Sequence, residues 1–204
     1  MNAQTLYIIG NGFDMHNRIS TSYANFRDYL KNVDFLLFDT VEKFLEIDED
    51  WCTLEAALAE LDVYAIIDDA SMFLMSYGSD DWKESAHHDY EWRVKEIVSG
   101  LSEKLHQHFC DWIQSITIPS KEMLSSTPVP IDPEGKFLTF NYTDTLSYTY
   151  GINIERVNHI HGVMSEPTSI VLGHAWNPEE VPDLNDVSES ENMDTRVYDG
   201  NKTI

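Results

Sequence analysis

Three short groups of residues carry functional groups at strand-end spacing: Gly10-Asn11-Gly12-Phe13-Asp14, Phe140-Asn141-Tyr142-Thr143 and His159-Ile160-His161-Gly162. Gly10 and Gly12 allow backbone torsions and a close approach that a Cβ would block, so a phosphate or ribose can lie against the turn. The third glycine of the dinucleotide fingerprint is missing, and a plain strand-to-helix turn explains the pair equally well. Asp14 can cap a helix or hold a ribose hydroxyl, and Phe13 can stack on a base or pack. The Asn141 carboxamide, with one acceptor and two donors in a fixed plane, can orient a water or a ribose hydroxyl, or begin an Asx turn. His159 and His161, two apart in an expected strand, point to one face. His161 fits a general base working near neutral pH, and His159 fits a structural histidine. Zinc would need further ligands. His16, His174 and Asp14 show no ligand spacing, so no metal is expected.

The elements that must position these groups follow from apolar patterning. Leu6 to Ile9 is a continuous apolar run ending at Gly10, a buried first strand. Thr21-Ser22 offers an N-cap for a helix with Tyr23, Phe26 and Leu30 on one face. From about Val33 to Ser120 nearly everything reads as helix. Val41, Phe44 and Leu45 form one patch, and Leu54, Ala57, Leu61 and Ala65 another. Between Glu84 and Ile116 a single stripe runs through Tyr90, Val94, Ile97, Leu101, Leu105, Phe109 and Ile113. Ser76 to Asp81 breaks the helices. The Pro133-Glu134-Gly135 turn leads into a second buried strand, Lys136 to Phe140, after which Thr143 is expected to cap a short helix through Tyr150. Ile154 to Ile160 and Ser169 to Leu172 read as two further strands. The fold class expected is α/β, a Rossmann-like, mostly parallel sheet with a large helical insertion (about 33–120) after the first βα unit. One domain is expected over residues 1–177. Residues 178–204, without an apolar period, read as an acidic tail or mobile segment.

Composition narrows the function. Asp and Glu number 36 against 13 Lys and Arg, a formal charge of -23. Such a surface repels phosphate backbones and anionic lipid, and no basic run offsets it. Nucleic-acid and membrane partners are not expected, although backbone N–H groups can still bind a small anionic nucleotide. Cys52 and Cys110 lie far apart, which fits two free thiols in a reducing compartment. No signal or membrane-spanning segment is present, so a cytoplasmic location is expected. The pairs His87-His88 and His106/His108 read as solvated, and Glu55 as a residue of a helix start.

Five motifs in order resemble the AbiH-like bacteriophage abortive infection family. They are Leu6 to Asp14 with His16 and Thr21-Ser22-Tyr23, Trp51 with Leu54-Glu55, Phe140 to Leu146, His159 to Gly162, and Ile170 to His174. That family is similar in turn to the sirtuin-like domains of anti-phage NAD-cleaving proteins. This more distant similarity implies a sirtuin-like sheet, Asn141 and His161 as the catalytic pair, and Gly10, Asn11, Gly12, Phe13, Asp14, Thr143 and Gly162 around the nucleotide. Thr143 stands where many sirtuin-like sequences have Asp, which alters the ribose contact. The chain also ends sooner after His174 than such families do, implying an open adenosine side. The function implied is an anti-phage protein that binds NAD or a related nucleotide and hydrolyses its nicotinamide–ribose bond. The alternative is a non-catalytic nucleotide sensor or interaction module. A phage or host protein as trigger, and self-association, are the implied partners.

Overall fold

The computed structural model describes residues 5–80, 83–84, 88–124, 127–173 and 195–201. It is a mixed α/β structure whose sheet has three parallel strands in the order β1-β2-β3. They are β1 Leu6–Ile9, β2 Lys136–Thr139 and β3 Val157–His159. Leu6 faces Lys136 and Ile9 faces Thr139, while Phe137 faces Val157 and Thr139 faces His159. The three carboxyl ends therefore lie side by side, with β2 central.

The helices are α1 Gly12–His16, α2 Tyr23–Val33, α3 Phe35–Phe44, α4 Leu54–Ala59, α5 Val63–Ser71, α6 Asp89–Ser99, α7 Leu105–Ser115, α8 Thr145–Tyr148 and α9 Thr195–Asn201. The chain forms two compact units, and each is interrupted in sequence. One comprises Met1–Val33, Glu49–Cys52 and Gln107–Leu172; the other comprises Asp34–Asp48, Thr53–His106 and Gly173–Ile204.

The first unit contains the sheet. Ile9, Phe13, Phe137, Leu146 and Ile152 form a core on one side of it. Tyr7 stacks on Phe137 at 5.0 Å, and its hydroxyl accepts from the Asp132 amide at 2.9 Å. Around α2 and α7 the aromatic rings of Phe26, Trp51, Phe109 and Trp112 meet at tilted and edge-to-face angles, the arrangement that the ring quadrupole favours. Trp51 is fully buried although its φ is +58°, a conformation bulky residues adopt only when packing imposes it.

The second unit is helical. Asp34 and Asp62 cap α3 and α5 by accepting from the amides of Leu37 and Tyr64, both at 2.9 Å, which satisfies donors left over at each helix start. Asp69 pairs with Lys43 and with Arg93, whose Nε donates at 2.8 Å. α9 lies against α6, where the Tyr90 hydroxyl donates to Asn201 Oδ1 at 3.0 Å.

Several expectations need correction. The first strand is not buried along its length: Leu6 and Ile8 are exposed, and Ile9 alone is buried in the core. The stripe from Tyr90 to Ile113 is buried throughout, yet the helix begins at Asp89 and a π-turn, Gly100–Lys104, interrupts it. Gly100 sits where an added Cβ would come within 3.4 Å of Leu37. Leu61 lies between α4 and α5, so its patch belongs to two helices, and the buried side of α5 is Ile66 and Ala70. The third strand is short because Ile154–Arg156 forms a 3-10 turn, capped where Asn153 Oδ1 accepts from the Glu155 amide at 3.0 Å. Ser169 to Leu172 is not a strand. Pro167–Ser169 forms a 3-10 turn, and the segment joins its neighbour through the Val171 amide and His161 carbonyl at 3.0 Å. Within 178–204, the part described is the helix α9; residues 178–194, His87 and His174 lie outside the described residues. His106 and His108 are half-buried rather than solvated. Cys52 and Cys110 are free thiols. No helix among the described residues is long and apolar enough to cross a membrane.

Candidate functional site

Strand β1 runs straight into the turn Gly10-Asn11 and the short helix α1. Asn11 pins this turn: its Nδ2 donates to the Thr21 carbonyl at 3.0 Å, and its Oδ1 accepts from the Thr21 hydroxyl. Thr21 is therefore occupied by the turn, and Ser22 supplies the cap of α2 through its reciprocal bonds with Asn25. Neither Gly10 nor Gly12 has a left-handed φ, and a Cβ on either would meet no atom within 4 Å. The space beside both glycines is open. Phe13, by contrast, is a core residue, tilted against Tyr150 at 5.0 Å.

Asp14 is completely buried. Its Oδ2 accepts from the Thr143 hydroxyl at 2.6 Å, and Thr143 in turn meets Thr145 Oγ1 at 2.9 Å. Thr143 thus turns to α1 instead of capping α8, whose N-cap position is Asp144, without a side-chain bond. Burial pushes the Asp14 carboxyl above its ordinary value, against the opposing effects of Thr143, Thr145, the Asn141 carboxamide and the charge of His159.

Asn141 stands two residues beyond β2 and is 7% exposed. Its amide nitrogen donates to Thr139 Oγ1 at 3.1 Å, and its carbonyl meets His159 Nδ1 at 3.0 Å. A carbonyl only accepts, so Nδ1 of His159 carries the hydrogen. The Asn141 carboxamide is close enough to Asp14 to favour the ionised carboxyl. Even so, Asp14 Oδ1 and Asn141 Oδ1 are sealed from solvent and accept no bond of ordinary length. Buried oxygens without donors are scarce in folded proteins.

His161 lies two residues past the end of β3, in a bend, so strand alternation does not govern it. Its ring meets the edge of Phe140 at 5.7 Å, and its Nδ1 lies 3.4 Å from the Tyr142 hydroxyl. That hydroxyl donates its one hydrogen to the Val171 carbonyl at 3.0 Å. The His161 contact therefore uses Nδ1–H, leaving Nε2 with the lone pair of a base. Asn141 is thus joined to His159, and His161 to Tyr142 and Phe140. Gly162 has φ +86°, and a Cβ there would stand 2.2 Å from the Ser169 carbonyl oxygen. Only glycine fits.

A model of the family described as bacteriophage abortive infection AbiH matches residues 6–204. The chain belongs to the AbiH family. The match takes in all five motifs and continues through the acidic C-terminal stretch, and the AbiH assignment connects the chain with phage abortive infection. No curated protein and no solved structure matches the chain. Within this AbiH chain the sequence reading missed Thr145, whereas His159, expected as a structural histidine, bonds the Asn141 backbone carbonyl. The signal for Thr145 was its parity with Asn141 and Thr143, three polar side chains at alternate positions that all prove buried. Glu55 occupies the first turn of α4, as expected. Among the described residues there is no group of three or more His, Cys, Asp or Glu side chains able to hold a metal.

Proposed function

We propose that this AbiH protein binds NAD or a related nucleotide across the carboxyl ends of its three parallel strands and hydrolyses the nicotinamide–ribose bond. The observation that carries the reading is Asn141 Oδ1, an acceptor buried without a donor at the end of the central strand, beside a glycine turn with open space on its outer side. Ligands of open parallel sheets sit in that position. The doubly wound, sirtuin-like character of the sheet is part of the same proposal.

In this mechanism a water donates to Asn141 Oδ1 and attacks C1′ of the ribose. The C1′–N1 bond breaks as the C1′–O bond forms, nicotinamide leaves with the bonding electron pair, and Nε2 of His161 takes the proton of the water. Gly10, Asn11 and Gly12 line the phosphates, and Asp14, Thr143 and Gly162 support the ribose side. General base catalysis of this kind contributes about 10²–10⁴-fold. Purified full chain incubated with NAD is expected to release nicotinamide, with Asn141→Ala and His161→Ala each lowering the rate by at least about 10²-fold. Absence of both turnover and NAD binding by calorimetry refutes the proposal.

One observation favours a second reading, nucleotide binding without turnover. The backbone of Asn141 is held by Thr139 and His159, whereas the contacts of His161 run to Tyr142 and Phe140. Binding that persists in both variants, with no nicotinamide released by any of them, identifies a sensor.

A further inference from the structure

We propose that Tyr142 is the positioning residue of His161: its hydroxyl accepts the hydrogen of Nδ1 and so reserves Nε2, with its lone pair, for the proton of an attacking water. The inference rests on His161 serving as the base, as proposed above. The bonds that hold the imidazole close into a ring through Val171. His161 Nδ1 lies 3.4 Å from the Tyr142 hydroxyl, that hydroxyl donates to the Val171 carbonyl at 3.0 Å, and the Val171 amide donates back to the His161 carbonyl at 3.0 Å. Each link runs in one sense. The Val171 carbonyl only accepts, so the phenol spends its single hydrogen there and turns a lone pair to the imidazole. A hydrogen on Nδ1 completes the circuit.

Tyr142 can impose this choice because it is held independently of the histidine. Its backbone carbonyl accepts from the Met164 amide at 2.7 Å, and its ring meets Phe109 of α7 edge to face, 5.0 Å between centroids and 79° between planes. Phe140 packs edge to face on the imidazole at 5.7 Å and 85°, which limits rotation of the ring without bonding either nitrogen. The tautomer is therefore set at Nδ1. A solvated neutral imidazole carries its hydrogen mainly on Nε2, and a neutral nitrogen that bears a hydrogen has no lone pair for a proton. The hydrogen bond made by one ring nitrogen decides the state of the other. A base that acts through Nε2 thus needs an acceptor at Nδ1, and the Tyr142 oxygen, aimed by Val171, is that acceptor.

The test is nitrogen-15 nuclear magnetic resonance on the histidine-labelled full chain without nucleotide, at a pH about two units above the ordinary histidine value, with His161→Gln identifying the signals. Wild-type His161 is expected to show a hydrogen-bearing Nδ1 and a bare Nε2. Tyr142→Phe, which keeps the ring against Phe109, is expected to move the hydrogen to Nε2 while circular dichroism remains that of the wild type. A wild-type hydrogen on Nε2 overturns the inference by itself, whether or not the variant folds, and so does an unchanged pattern in a folded Tyr142→Phe. In a turnover assay Tyr142→Phe should lower kcat about 10–10²-fold with KM little changed, because a histidine in the wrong tautomer cannot accept the proton. An unchanged kcat removes the positioning role. The expected tautomer switch in a chain that neither binds nor cleaves NAD refutes the proposed function and leaves the pairing of Tyr142 with His161 intact.

Discussion

Replacing Gly162 with alanine isolates a backbone constraint whose size follows from the geometry. With φ at +86°, the new Cβ would stand 2.2 Å from the Ser169 carbonyl oxygen, 2.4 Å from its carbon and 2.7 Å from the Ile170 nitrogen. All three are main-chain atoms, so no side chain can swing aside. The left-handed backbone costs about 1–2 kcal/mol for a residue with a Cβ, and forcing a methyl into filled space adds about 1–3 kcal/mol. The sum, about 2–5 kcal/mol, corresponds to a fall in Tm of about 4–20 °C for a chain of this length. Urea and thermal unfolding followed by circular dichroism provide the measurement, with Gly10→Ala as control. At Gly10 a Cβ meets nothing within 4 Å and φ is not left-handed, so its stability should stay within about 0.5 kcal/mol of wild type. If Gly162→Ala is as stable as wild type, or Gly10→Ala costs as much, the packing argument is wrong. The same control bears on the proposed site, because an alanine at Gly10 that spares the fold should still weaken nucleotide binding.

Two further outcomes concern charge. Burial raises the Asp14 carboxyl above 3.8, so the stability tied to its acid form is fully present below that value and is lost as pH rises through the folded value. Asp14→Asn should therefore be at least as stable as wild type at pH 7, the difference vanishing in acid; a variant less stable at pH 7 contradicts this. Asp69 shifts the other way, because burial is outweighed by Lys43 and Arg93 and the carboxyl lies below 3.8. Its contribution is present above that value and is lost as pH falls through the folded one. Asp69→Asn should cost about 1.5–3 kcal/mol at pH 7 and flatten the acid limb of the unfolding curve, and an unchanged acid limb would rule out the ion cluster as its source.

Local pattern made part of this fold readable. Continuous apolar runs located β1 and β2, although Leu6 and Ile8 of β1 are exposed, and the stripe from Tyr90 to Ile113 located the long helical stretch, whose period burial enforces. What escaped depends on tertiary partners. Thr143 has the right neighbours for a cap, yet its hydroxyl goes to Asp14, 129 positions away. Ser169 to Leu172 has strand-like composition, yet its backbone closes over Gly162, whose torsion no periodicity reveals. Residue types alone marked the candidate site, in Asn141, His161 and the glycine turn. Its wiring was not legible: the burial of Asp14 and the grip of His159 on Asn141 arise only when β1, β2 and β3 meet.

The order of the strands has a consequence for biosynthesis. β1 leaves the ribosome first, but its only partner among the described strands, β2, begins at Lys136. At about 5–20 residues per second, the interval before β2 follows is of the order of ten seconds. During that time Leu6 to Ile9 are an unpaired apolar ribbon, the kind of edge on which nascent chains associate wrongly. Production of this protein should therefore depend on chaperone supply more steeply than its modest length would suggest.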